Sequence, residues 1–422
     1  MNKLTSSIFR NLYTQNHKKN FVFSPASYML AINNLLLCLK NDNLQEFLDL
    51  LNISEENLFE YIKQYRETVD KNVENYDALF IRSDYENAAN PEVVEQFKQL
   101  KSEIKGFSQQ NISNLIDEIN RIAAEKTHGK IQNLLSPNDI SNYLSFVILN
   151  CVYFKKEWVY KFNESGAKET FYGVDSHTQI NFLRKRDKGF AFYEDEKIDI
   201  VELPYQYSSV ACYLLIPKTN VFELINNLEE NYNKIKLVKL ENNTEVDITT
   251  PRFKIESSYS LEESTRFAGV NKIFEWNKDW KLVDFSKLLP EVVLKVDKII
   301  QKAYIDFTKD GTEAAAATAI MMACSSCVFI DTKPKIKYIR ADKPFMYVLL
   351  DKNNKDVPLF IGVVNQAEEF PNSPKFEGQW QNPFFDSNIK PETYMIKIDG
   401  VSEPLTGIKF TNIFSNSSTN KL

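Results

Sequence analysis

Only three histidines, five cysteines and 11 glycines occur in the 422 residues, and each scarcity closes off a class of chemistry. His17, His128 and His177 stand in no spacing that pairs a base with a nucleophile or gathers ligands around a metal. No hydrolase and no metal centre are expected, and the chain is read as no enzyme and as carrying no cofactor. No glycine-rich phosphate cradle is present. The odd cysteine count, scattered over a long chain, argues against a disulfide framework. Cys324-Ser325-Ser326-Cys327 has the spacing of a redox pair, but no strand-to-helix junction is evident that would acidify its first thiol.

Charge of one sign is also lacking. The net charge is -6, with no block of like charges, so neither nucleic acid nor a membrane is an expected partner. Residues 1–10 lack the apolar core of a signal peptide. The longest apolar run, residues 29–39, is interrupted by Asn33 and Asn34 and is too short for a bilayer. The expectation is a soluble monomer, cytoplasmic or secreted without a classical signal peptide.

What is present suits a large packed domain. With 43% hydrophobic and 26% charged residues the chain can bury a sizeable core, and no Gly/Ser-rich or Pro-rich linker divides the first 366 positions. Leu4, Ile8, Phe9 and Leu12 share one side of a helix. Ser24 suits an N-cap and Pro25 a first helical position, so a buried helix follows them. Helical periodicity continues through residues 43–73, 91–105 and 112–126, with Gly129 suited to a left-handed terminus. Residues 145–154 form a nearly continuous apolar run of strand length, inside which Asn150 must find hydrogen bonds. Further strands are expected at residues 198–203, 210–217 and 244–254.

One stretch is at odds with its surroundings. Gly311-Thr312-Glu313-Ala314-Ala315-Ala316-Ala317-Thr318 reads as a short helix on propensity. The strand-like runs at residues 303–307 and 345–350 read it instead as a strand-competent loop. Ser24 and Ser27 are read as helix-capping residues and Trp158 as a core aromatic.

The same stretch resembles the hinge of the reactive loop of the serpins, the serine protease inhibitor superfamily. Colinear likenesses follow it along the chain: residues 21–27 around Ser24 and Ser27, Phe154-Lys155-Lys156-Glu157-Trp158, Leu203-Pro204-Tyr205, residues 250–256, and residues 341–345 and 359–364. The match is closest to the intracellular ovalbumin-type members without a signal peptide. It implies an α+β fold: a large central mixed β-sheet, two further sheets, surrounding helices and an exposed reactive loop. It also implies a serpin domain over 1–366. Residues 367–422 are then an unusual extension, interrupted by five prolines and holding a partial repeat of the 154–183 segment. In that repeat Phe376, Trp380 and Phe384 reproduce the spacing of Phe154, Trp158 and Phe162.

The resemblance further implies a suicide-substrate inhibitor that forms a covalent acyl complex with a target protease and then inserts its cut loop into the central sheet. Counting from the hinge glycine puts the reactive bond at Ser325-Ser326, with Cys324 as the alternative, while the long loop admits Met322, Phe329 or Lys333. A small residue there suggests chymotrypsin-like or elastase-like serine proteases. Cysteine proteases, or a non-inhibitory role in binding or storage, are the alternatives. The hinge runs from Gly311 to Thr318, and Ser24, Ser27, Asn150, Trp158 and Gln301 support sheet opening. Three residues depart from the family pattern: Lys156 replaces a glycine, Lys309 a glutamate, and Gln301 a histidine that hydrogen-bonds near Asn150.

Overall fold

The structure, a computed structural model, describes residues 1–137, 146–274, 284–290, 296, 299–312 and 334–370, together with the strands Glu392–Ile396 and Leu405–Lys409. Residues 313–333 lie outside the described residues, and with them the expected hinge positions Glu313 to Thr318 and the reactive-bond positions Cys324, Ser325 and Ser326.

The core is built on a six-stranded antiparallel sheet in which Val210–Pro217 and Phe345–Asp351 are buried along their whole length. Such uninterrupted burial explains their unbroken apolar sequence, because both faces are covered. A second, four-stranded sheet joins Lys335–Arg340, Thr244–Thr250, Leu183–Asp187 and Asn163–Glu164. The helix Pro25–Leu36 packs against both Asn354–Val364 of the main sheet and Phe146–Tyr153. Its start is set by Ser24, whose side chain accepts from Ser27 N at 3.1 Å, with Pro25 in the first turn.

Two further hydrogen-bonded ladders each form a sheet of their own. One orders Glu103–Phe107, Glu74–Arg82 and Phe146–Tyr153, the first pair parallel and the second antiparallel. The other orders Phe253–Ser260, Ile300–Phe307, Gly311–Thr312 and Lys156–Glu157, all antiparallel. The chain crosses between ladders where Phe146–Tyr153 gives way, two residues later, to Lys156–Glu157. Among the described residues no backbone pairing joins Phe146–Tyr153 to Ile300–Phe307. The unpaired seam between them, where Ile148 and Asn150 share a small cavity with Ile300 and Gln301, is here termed the slot.

Most sequence expectations hold at the level of element and bound: helices at Lys3–Asn16 and Ile112–Lys126, a strand at Phe146–Tyr153, and Gly129 at a φ of 79°. The expected helix over 91–105 ends at Gln99, because Lys101 turns left-handed with φ 56° and Glu103–Phe107 joins the sheet.

The chain divides into two compact units, 1–370 and 371–422. In the second, Glu392–Ile396 and Leu405–Lys409 pair as an antiparallel hairpin. Its first strand opens Glu392-Thr393-Tyr394, as the hairpin strand Glu169–Tyr172 of the first unit opens Glu169-Thr170-Phe171. Among the described residues no helix is long and apolar enough to cross a membrane.

Candidate functional site

Two clusters gather the expected residues that fall within the described part of the chain. The first holds the start of the hinge. Thr312 pairs with Phe307 on one side and Lys156 on the other, and Gly311 pairs with Glu157. A Cβ on Gly311 would lie 2.2 Å from Lys156 O and 2.7 Å from Glu157 Cα, so the close strand approach demands glycine there. Gly311 is not in the left-handed region, and the need is one of space rather than of a special turn.

Trp158 is the floor of this cluster. At 1% exposure it stacks on Tyr205 with ring centroids 4.4 Å apart and meets Phe307 at 4.9 Å. Its Nε1 donates to Thr308 O at 2.9 Å, its backbone N to Asp310 O at 2.9 Å, and Phe162 N donates to Lys309 O at 2.8 Å. Three successive carbonyls ahead of Gly311 are thus held from one side. Thr308 closes the turn from the other, donating through N to Gly311 O at 2.9 Å and through Oγ1 at 2.8 Å. Thr312 is 2% exposed, and its hydroxyl lies 2.5 Å from the Tyr205 hydroxyl. Burial pushes the Tyr205 phenol well above its ordinary range, which keeps it a neutral partner.

Lys309 does not stand uncompensated. Its ammonium lies 3.9 Å from Glu164, while Lys161 bridges Glu157 at 2.8 Å and Asp310 at 3.8 Å. The exchanged hinge charge therefore meets an opposite charge on Asn163–Glu164, the end strand of the second sheet.

The second cluster lines the slot. Gln301 is 4% exposed and clamps Ser24: its Oε1 accepts from Ser24 N at 3.0 Å and its Nε2 donates to Ser24 O at 2.9 Å. Ser24 Oγ donates to Leu359 O at 2.7 Å. Ser27, Asn150 and Gln301 line a cavity of about 30 Å³ together with Ile148 and Ile300. Both amide atoms of Asn150 are buried and have no hydrogen-bond partner among the described residues. The expectation that Asn150 finds hydrogen bonds is not met among the described residues, and Gln301, which shares the cavity with it, directs one donor and one acceptor to the Ser24 backbone instead. An unpaired buried amide is costly, by roughly 1–3 kcal/mol.

The structure so brings Gly311, Thr312 and Trp158 into one cluster and Ser24, Ser27, Asn150 and Gln301 into the other. Sequence reasoning had not singled out Tyr205, Phe307 and Thr308 as site residues. The one available signal was the Leu203-Pro204-Tyr205 likeness, which carried no statement of what Tyr205 touches. Among the described residues no cluster of side chains suited to a metal occurs.

The chain matches the family model "Serpin (serine protease inhibitor)" over residues 1–367. It is similar to Serpin B4 of Homo sapiens, with 28% identity over 380 residues covering 83% of this chain and 94% of that protein. Antitrypsin of Bombyx mori is 26% identical over 359 residues, covering 82% and 88%. Among solved structures, Serpin48 of the insect Tenebrio molitor superposes with a TM-score of 0.72 at 20% identity, covering 87% of this chain and 96% of that one. Cleaved Serpin 42Da superposes with a TM-score of 0.73 at 20% identity, covering 87% and 97%.

Proposed function

The chain belongs to the serpin family, and we propose that it inhibits its target protease as a suicide substrate. The family supports protease inhibition in general; the mechanism and the target class are this reading. The protease's nucleophile attacks the carbonyl carbon of the loop residue at the cut, and an acyl bond forms as the peptide bond breaks and the departing amine takes the proton. The freed hinge then zips into the slot as a new strand before water can release the acyl group.

The observation that carries this reading is the position of Gly311–Thr312. These two residues already form a strand antiparallel to both Ile300–Phe307 and Lys156–Glu157, at the mouth of the unpaired slot. Continuing in the same direction, Ala314, Ala316 and Thr318 would share a face with Thr312, and their small side chains would enter without overpacking. Extended over the fourteen positions from Gly311 to Ser325, the segment would span roughly 46 Å, enough to carry an attached protease along the domain. Partners and backbone pairing are both waiting there: the edges of the slot and the unpaired Asn150 amide.

The reactive bond is proposed at Ser325-Ser326, or at Cys324-Ser325, with chymotrypsin-like or elastase-like serine proteases as targets. The inhibitory unit is proposed to be residues 1–366, with 367–422 as an added extension. Incubation with a panel of serine and cysteine proteases, followed by denaturing gels and mass spectrometry of the nicked loop, tests the mechanism and the bond together. Denaturant-stable adducts are expected with a protease that accepts a small residue. Cleavage by every such protease without any adduct would favour the non-inhibitory role in binding or storage.

A further inference from the structure

A cleft of about 540 Å³ opens between the last turn of the Lys3–Asn16 helix, the turn after Glu169–Tyr172 and the segment 217–222. It shares no residue with the hinge cluster or the slot. Its size falls within the roughly 300–1,000 Å³ usual for small-molecule sites. Its walls are also unusual for this surface. Nine large apolar side chains are exposed among the described residues, and three of them, Tyr172 at 45%, Val174 at 44% and Phe222 at 58%, line this one cleft. Scattered exposed apolar residues need no explanation, whereas their convergence on a concavity marks a binding surface.

The polar groups of the cleft point to the chemistry of the occupant. Tyr13 is only 6% exposed and lines the cleft, yet its hydroxyl has no hydrogen-bond partner among the described residues. Burial raises its pKa, so it stands there as a neutral donor. Lys343 is exposed at the rim and has no ion pair among the described residues. Of the acids adjacent in the chain to lining residues, Asp342 pairs with Arg340 at 2.7 Å and Asp175 with Lys18 at 3.4 Å, while Glu223 accepts from the Thr219 hydroxyl at 2.8 Å. His17 adds a second nitrogen-bearing side chain to the lining, its Nδ1 lying 3.1 Å from Thr14 O. The lining thus combines an apolar floor, an ammonium without an ion pair and the Tyr13 hydroxyl, with no carboxylate among the residues that form it.

We propose that this cleft binds a small amphipathic carboxylate, its aromatic or branched body against Tyr13, Tyr172 and Phe222 and its carboxylate on the Lys343 ammonium. A cationic ligand would meet Lys343 with like charge, and a neutral one would leave that ammonium without a counter-charge. The site is independent of the reactive loop, so binding is read without any protease present.

Isothermal titration calorimetry on the full chain with biphenyl-4-carboxylate, and with biphenyl-4-carboxamide as its uncharged counterpart, tests the proposal. The carboxylate is expected to bind one per chain with a dissociation constant below about 0.1 mM, and the amide roughly 10-fold more weakly. Lys343→Ala should erase that difference while leaving the amide's affinity unchanged. Phe222→Asp should remove binding of both, and because Lys343 and Phe222 are exposed both variants should melt as the parent does. Equal affinity for acid and amide in the parent, an undiminished preference for the acid in Lys343→Ala, or no heat from either compound at millimolar concentration would each overturn it.

Discussion

The hinge turn and the slot lie at opposite extremes of hydrogen-bond satisfaction. Around Thr308 to Thr312, the carbonyls of Thr308, Lys309, Asp310 and Gly311 all accept hydrogen bonds, and the hydroxyls of Thr308 and Thr312 are engaged. In the slot, among the described residues, no backbone bonds join Phe146–Tyr153 to Ile300–Phe307, and the Asn150 amide on the first of them has no hydrogen-bond partner. The difference separates two jobs. A strand that is to insert needs a fixed point from which to zip, and the tightly paired hinge provides it. It also needs a destination that gains from its arrival, and an incomplete sheet with an unpaired amide gains more than a closed one. Under the proposed insertion, hydrogen bonding is complete where the strand would start and incomplete where it would proceed.

The contrast can be broken most severely at its junction. Thr312→Arg would set a charged side chain where Thr312 is already buried and paired beside Tyr205, so the seated start of the strand would have to unseat to keep that charge in water, and insertion would lose its anchored beginning. Near-complete loss of denaturant-stable complex is expected, with the loop still cut, as scored on gels. Undiminished complex would contradict insertion through this point. Removing the floor comes next. Trp158→Ala should cost about 3–5 kcal/mol of stability in urea unfolding, because a fully buried ring and its bond to Thr308 O are lost together.

At the slot the expected sign reverses. Asn150→Leu removes a buried amide that has no partner, and the intact protein should gain stability, about 1–3 kcal/mol, rather than lose it. The same change should narrow the difference in melting temperature between intact and nicked forms, since the inserted strand then has less to satisfy. The smallest effect belongs to the exchanged hinge charge. Glu164→Gln leaves Lys309 without its counter-charge at a half-exposed site, and a loss below about 1 kcal/mol is expected in the same unfolding assay.

These differences track what a sequence can hold. The Ser24-Pro25 start and the apolar strand 146–153 were legible because each depends on local propensity or periodicity. The requirement for Gly311 was legible as a residue type but not as a cause, because crowding by Lys156 O comes from a strand more than 150 positions away in the chain. Asn150 shows the same limit more sharply. Its burial could be foreseen from its apolar neighbours, but its lack of a partner could not, since that depends on where Gln301, 151 positions away, directs its amide. Tyr205 went unrecognised for a similar reason: its role is a contact with Thr312 across 107 positions. The end of the 91–99 helix was missed because Lys101, a residue with no turn preference, adopts the left-handed conformation that admits the edge strand at Glu103.

The most direct test of the unfinished slot is the melting temperature of the intact chain against that of the chain nicked once within residues 313–333, recorded under the same conditions. A nicked form that melts well above the intact one, with its new carboxyl end protected from carboxypeptidase, is the predicted result. Equal or lower melting with that end open to digestion would contradict it.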